Sequence, residues 1–219
     1  MLPAGKEAPP EVFEELLAAR AFAFGLSLSV LEMRTLGRYL ALLDFWRRQT
    51  NLTGPFPAET LVEHAMESCL GAEFLPARAQ VADIGSGAGL PGIPIAILRM
   101  DITLVPVEPR RRRREFLDRV RDTLSLGLPE ALPRLSPAVA SIATLPVGSC
   151  DAALARAVGS ISGILDAAPF LRPEGQFLAW TTDPESLARS LDHRFRLERV
   201  RDVPASEKKQ IAVFRRRPE

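Results

Sequence analysis

Ten residues constrain this chain more than any others: Asp83-Ile84-Gly85-Ser86-Gly87-Ala88-Gly89-Leu90-Pro91-Gly92. They follow a short apolar run, Val81-Ala82-Asp83-Ile84, which predicts a buried strand. They precede residues 93–100, whose pattern predicts a helix. A glycine-rich turn from strand to helix brings backbone amides close to a ligand. In an open α/β sheet, ligands bind beyond the carboxyl ends of the strands, which is where Asp83 falls. The Gly-x-x-x-x-Gly-Lys-Ser/Thr loop of nucleoside triphosphate enzymes is absent. Gly87-x-Gly89-x-x-Gly92 satisfies the dinucleotide fingerprint, so spacing alone leaves a dinucleotide open as the ligand.

The rest of the chain repeats the strand–helix alternation. Strands are predicted over 81–84, 102–107, 152–155 and 177–180, with a terminal hairpin over 196–203 and 209–215. Between them lie predicted helices over 93–100, 110–126, 161–170 and 183–191. Pro173 and Gly175 close the 161–170 helix, and Asp183-Pro184-Glu185 caps the last one. Such alternation predicts a mostly parallel sheet with helices on both faces.

Ahead of it, residues 11–24 carry Val12, Leu16, Leu17, Ala19 and Phe24 at helical spacing, and Gly25 ends that helix. Ser29-Val30-Leu31-Glu32 is a capping box opening a helix to about residue 49, with Leu36, Leu40, Leu43 and Trp46 as its stripe. Thr60-Leu61-Val62-Glu63 predicts a second capped helix toward Phe74. The expected organisation is an N-terminal helical extension over 1–75 and a ligand-binding α/β domain over 76–219, packed as one unit.

Composition narrows the class. The 219 residues are 47% hydrophobic and 25% charged, enough to bury a core. Two cysteines, Cys69 and Cys150, exclude a disulfide scaffold and fit a reducing, cytoplasmic setting. No apolar run is long enough to predict a membrane span, the N-terminus lacks a secretion signal, and no metal-ligand spacing is present. The formal net charge of +1 hides an asymmetry. Residues 1–75 hold 6 basic and 10 acidic residues, whereas 76–219 hold 22 and 17. Of the 28 lysines and arginines, 25 are arginine. The densest basic run is Arg110, Arg111, Arg112, Arg113 and Arg114; composition alone neither demands nor excludes a nucleic-acid partner, but were the partner RNA, this run with Arg47 and Arg48 would be the surface that neutralises its phosphates. Just before that run, Glu108 ends the second strand, placed to accept hydrogen bonds from ribose hydroxyls.

Several fragments together resemble one family. Asp-x-Gly-x-Gly-x-Gly, from Asp83 to Gly89, resembles motif I of the class I methyltransferases, which bind S-adenosylmethionine. Trp46, Asn51-Leu52-Thr53, the His64–Ser68 stretch and the block ending Leu90-Pro91-Gly92-Ile93-Pro94 resemble the bacterial 16S ribosomal RNA guanine-N7 methyltransferases, the RsmG or GidB family. Glu108, Arg113-Arg114-Glu115-Phe116-Leu117 and Ala155-Arg156-Ala157 continue the likeness. The chain departs from the family pattern at three places. Glu67 stands for an aspartate, Ile142-Ala143 for an acid before the fourth strand, and Ala179-Trp180-Thr181 for Leu-Lys-Gly.

The resemblance implies a Rossmann-like class I α/β fold with a seven-stranded sheet, S-adenosylmethionine as cofactor, and N7 of a guanine in the 530 loop of 16S rRNA as target. It implies a monomer acting on the RNA or the small ribosomal subunit, without metal or membrane. It assigns Asp83, Gly85, Ser86, Gly87, Gly89, Leu90, Glu108, Ile142, Ala143 and Arg156 to the cofactor. Arg156 and Asn51 are its catalytic or positioning candidates. A small-molecule methyltransferase and a non-catalytic RNA-binding protein of the same fold stay open as alternatives.

Overall fold

The computed structural model describes residues 8–127, 134–156, 168–191, 193–204 and 206–218. Seven strands form one sheet in the order β3-β2-β1-β4-β5-β7-β6. They are β1 (Gln80–Ile84), β2 (Thr103–Val107), β3 (Arg134–Leu135), β4 (Cys150–Arg156), β5 (Leu171–Thr181), β6 (Phe195–Asp202) and β7 (Gln210–Arg216). The first five are parallel, and β7 runs antiparallel between β5 and β6. The helices are α1 (Pro10–Ala21), α2 (Val30–Arg47), α3 (Ala58–Cys69), α4 (Gly92–Leu98), α5 (Arg111–Gly127) and α6 (Pro184–Leu191).

Alternation along the strands makes two cores. Val81, Leu154, Leu178, Ile211 and Val213 face one side, where they join Leu36, Leu40, Leu43, Leu61 and Met66 of α2 and α3 and Phe116 and Val120 of α5. Ala82, Ile84, Ala153, Phe177 and Phe214 face the other, against Leu187, Ala188 and Leu191 of α6. Because both faces are covered, the central strands are apolar at nearly every position. The first core continues from the helical cap into the sheet.

The chain leaves β1 for β2 and β3 on one side, then returns to β4 on the other. That reversal opens a crevice between the carboxyl ends of β1 and β4. Register sets its walls: Ile84 pairs with Ala155, so Gly85 lies beside Arg156. Arg156 in turn pairs with Trp180, and Trp180 with Ile211.

Most predicted elements form within a few residues of their expected ends. Gly25 closes the first helix at φ 66° after a 3-10 turn over Phe22–Phe24. Its buried side chains are Phe13 and Leu17, while Val12 and Ala19 face outward. Ser29 makes the full capping box with Glu32. The second box does not form: α3 starts at Ala58 behind Pro57, and no side chain caps it. Proline pre-sets the first turn two residues earlier than Thr60. Pro173 and Gly175 do not terminate a helix but lie inside β5, where the pairing with β4 shifts between Cys150 and Ala152. An irregular strand end tolerates proline, which has no amide to donate. The predicted 161–170 helix falls mainly outside the described residues; Ala168–Phe170 is a 3-10 turn.

The two capping sequences separate in a stability measurement. Ser29→Ala should lower the urea unfolding free energy by about 1 kcal/mol. Thr60→Ala should change it by less than about 0.5 kcal/mol. Equal costs would contradict the caps described.

Candidate functional site

The glycine loop is pinned from three sides. The amides of Gly85 and Ser86 donate to Val107 O at 2.8 and 3.1 Å, tying the loop to the end of β2. The Tyr39 hydroxyl, fully buried on α2, donates to Ala88 O at 2.8 Å. The Gly87 amide donates to Glu108 Oε2 at 3.0 Å, and the Arg110 amide donates to Glu108 Oε1 at 2.9 Å. Backbone conformation or close approach requires glycine along the loop, as Gly89 and Gly92 illustrate. Gly89 sits at φ 87°, and a Cβ at Gly92 would lie 2.6 Å from Asp83 Oδ2. Leu90, half-buried, packs against the first core.

Asp83 is 1% exposed. Its Oδ2 accepts from Ser86 Oγ at 2.6 Å, whereas Oδ1 has no partner. Burial pushes its carboxyl up to about 6, opposed by the Ser86 hydroxyl and the Gly92 amide and raised further by Glu108. An orphaned buried carboxylate oxygen is costly, and a ligand's ammonium or hydroxyl removes that cost. With Glu108, only 3% exposed, the loop presents two buried carboxylates and a run of backbone amides. This donor and acceptor set fits a ligand with a ribose and a charged amino-acid end.

The other wall of the crevice is built around Glu67 of α3. Arg156 Nη2 donates to Glu67 Oε2 at 2.8 Å, and Lys209 Nζ donates to Glu67 Oε1 at 2.6 Å. Trp180 Nε1 donates to the Glu67 carbonyl at 3.0 Å. Arg156 Nη1 reaches His64 O and Ser68 Oγ at 3.0 and 3.3 Å. Glu67 therefore joins the ends of β4, β5 and β7 to the helical cap. Burial first, then the Arg156 charge, lowers the His64 imidazole to about 4. The site holds this histidine neutral.

The arginine run divides. Arg110, Arg111 and Arg112 are exposed, and Arg111 pairs with Glu115. Arg113 instead donates to Asn51 O at 3.0 Å and lies 3.8 Å from Glu108. Arg114 donates to the carbonyls of Glu108 and Pro109. Arg113 thus fastens the 51–56 loop over the Glu108 side of the crevice. That loop and the end of α2 border an open pocket of about 530 Å³, lined by Arg48, Asn51, Thr53 and Phe56 among others. Arg47 is committed to Asp44 and to Gly54 O, a structural role that the sequence did not suggest. Arg48 also pairs with Asp44. Ile142 and Ala143 lie in a 3-10 turn just beyond Val139, whose carbonyl accepts from the Glu108 amide at 2.9 Å. The Ala143 amide is engaged by Ser141 Oγ.

Two residues of the site escaped the sequence reading. Tyr39 is the chain's single tyrosine, set in the stripe of Leu36, Leu40 and Leu43, and that lone hydroxyl among leucines was its signal. Lys209 had none, because only the hairpin pairing brings it to the crevice. Among the described residues, no cluster of His, Cys, Asp and Glu could hold a metal ion, and no helix is long and apolar enough to cross a membrane.

The depressed His64 imidazole gives a pH test. The folded state takes up its proton later than the unfolded chain does, so its contribution is complete above about 6.5 and is lost as pH falls toward about 4. The difference in unfolding free energy between the wild type and His64→Asn should shrink across that window in urea titrations. A difference independent of pH would contradict the buried, neutral imidazole.

Comparison with known proteins agrees with this geometry. Residues 32–211 match the rRNA small subunit methyltransferase G family. The ribosomal RNA small subunit methyltransferase G of Sorangium cellulosum is 38% identical over 78% of this chain and 71% of its own length. The Mycobacterium leprae protein of that name is 36% identical over 76% and 66%, and the Azoarcus one 31% identical over 73% of each. The crystal structure of a SAM dependent methyltransferase from Aquifex aeolicus superposes with a TM-score of 0.55 at 14% identity, covering 71% of this chain and 91% of that one. The ribosomal protein L11 methylase of Lactobacillus delbrueckii gives 0.54 at 14% identity, over 74% and 81%. These likenesses establish the Rossmann-like class I methyltransferase fold. With the family matched across most of the chain and its sheet, the chain belongs to the rRNA small subunit methyltransferase G family.

Proposed function

We propose that this chain transfers the methyl group of S-adenosylmethionine to N7 of a guanine in 16S ribosomal RNA, within the 530 loop. The observation that carries the reading is the pair of buried carboxylates, Asp83 and Glu108, bracketing a glycine loop at the β1/β4 crevice. Glu108 accepts from the ribose hydroxyls, while Asp83, Gly85, Ser86, Gly87, Gly89 and Leu90 shape the pocket. Tyr39 holds the loop from α2, and Ile142 and Ala143 border the adenine. S-adenosylmethionine supplies an electrophilic methyl on a sulfonium centre.

Guanine N7 carries a lone pair and no proton, so the residues have no proton to remove. Their work is to position the base and to stabilise charge. A neutral His64, a charge-paired Arg156 and a buried Glu67 suit that task. Asn51 and its loop form the entrance from the cap, fastened by Arg113. Arg110, Arg111 and Arg112 lie exposed beside it and neutralise RNA phosphates, with Arg48 at the pocket rim. The helical extension and the sheet domain act as one catalytic unit, a cytoplasmic monomer on the RNA or the small subunit. Family membership favours this reading over a small-molecule methyltransferase.

Calorimetry with S-adenosylmethionine tests the cofactor assignment. The wild type should release heat on binding, and Glu108→Gln should weaken affinity roughly tenfold to a hundredfold, as for loss of hydrogen bonds to a charged group. Absence of binding at about 1 mM ligand, the upper end of usual KM values, would overturn it.

A further inference from the structure

Lys209 lies outside every motif described above, yet its ammonium stands in the wall of the crevice. Its position follows from register. Trp180 pairs with both Arg156 and Ile211, and Thr181 with Gln210, so Lys209 comes one residue beyond the Thr181–Gln210 pair at the carboxyl edge. It shares the face of Ile211 and Val213, the face of Trp180 and Arg156 that the helical cap covers. The amide of Val203 donates to Lys209 O at 3.0 Å, fixing its backbone. From there the side chain reaches back to Glu67, the carboxylate that holds Arg156.

The partners of the two cations differ. Arg156 spends its terminal nitrogens on His64 O, Ser68 Oγ and Glu67, and its side chain is only 15% exposed. Among the described residues, Lys209 makes one hydrogen bond from its ammonium, to Glu67, and its side chain is 45% exposed. An ammonium has three donors, so two remain for a ligand. One carboxylate between two cations leaves the cluster with a surplus positive charge. Glu67 also holds the lysine head in place, which reduces the entropy lost when a ligand binds. A half-exposed ammonium with spare donors, fixed beside a binding crevice, fits an oxyanion.

We propose that Lys209 is a substrate-binding residue whose ammonium, oriented by Glu67 beside Arg156, takes a backbone phosphate of the RNA at the crevice mouth. This rests on the RNA methyltransferase reading for the identity of the anion. Lys209 faces the crevice from the end of β7, whereas the exposed arginines of α5 flank the Glu108 side, so the RNA strand is held from two sides.

The experiment measures methyl transfer to 16S rRNA at varied RNA and salt concentrations for the wild type, Lys209→Met and Lys209→Arg. Filter binding of the same RNA and calorimetry with S-adenosylmethionine run in parallel. Lys209→Met should raise the KM for RNA roughly tenfold, as for loss of one charge-assisted hydrogen bond. It should reduce the salt slope of RNA binding by about one. Cofactor affinity should stay at the wild-type value, and Lys209→Arg should recover both RNA readouts. Wild-type RNA affinity and salt slope in Lys209→Met would overturn the proposal, as would an equal loss of cofactor affinity. Should Lys209→Met fail to fold, Lys209→Gln, which keeps a neutral donor beside Glu67 and leaves the Glu67–Arg156 pair in place, carries the comparison. A wild type that binds RNA without methylating it defeats the functional reading, while the salt slope still decides the role of Lys209.

Discussion

Closure of both faces of β1 is the constraint on which the rest of the structure depends. Val81 is buried under the helical cap, while Ala82 and Ile84 are buried under the opposite layer. Polar chemistry on this strand can therefore emerge only at its carboxyl end, and Asp83 and the glycines are placed there. The reversal of strand order at β1 then sets β4 beside it, so that Arg156 faces the loop. A seven-stranded sheet with one antiparallel insertion brings β7 and Lys209 to the same edge. Site geometry is thus a consequence of topology, with side chains completing what the backbone order positions.

The helical cap is part of this site. Tyr39 of α2 fixes the loop through Ala88, and Glu67 of α3 fixes the opposite wall through Arg156 and Lys209. Arg113 ties the loop after α2 to the Glu108 side of the crevice. Removing one partner of a buried ion pair leaves an uncompensated charge, which strongly destabilises a fold. The arginine excess gains a physical meaning here. Arg99 donates to the carbonyls of Ala72, Leu75 and Pro76, Arg114 to those of Glu108 and Pro109, and Arg156 to that of His64. A planar fork with five donors binds several carbonyls at once, which an ammonium does less well. Part of the basic charge therefore serves internal hydrogen bonding, while Arg110, Arg111 and Arg112 face solvent beside the crevice, as other arginines such as Arg119 and Arg199 do elsewhere on the surface.

The parts of the fold legible in the sequence were those set by local chemistry. The glycine run, the Ser29 box and the apolar stripe of α2 each depend on residues close together in the chain, and each formed as expected. Strand β3 has no sequence signature, because two residues between prolines carry too little pattern. Thr60 misled because Pro57 competes for the same helix start. Pro173 and Gly175 carry the local signature of a helix stop, yet they lie at a strand end irregular enough to hold them. In the site, Glu108 was legible from its place after a strand, whereas Lys209 depends on contacts across more than a hundred residues of chain. The family's Leu-Lys-Gly lysine is absent from Ala179-Trp180-Thr181, and Lys209, just ahead of the neighbouring strand, reaches the Glu67 wall instead, a placement visible only in three dimensions.

The most direct measurement is nucleoside mass spectrometry of 16S rRNA from a strain lacking this gene, before and after incubation with the purified protein and S-adenosylmethionine. The account predicts that N7-methylguanosine in the 530-loop fragment is absent beforehand and restored afterwards. Full N7 methylation of that fragment in the deletion strain, or none after incubation with a protein that binds the cofactor, would contradict it.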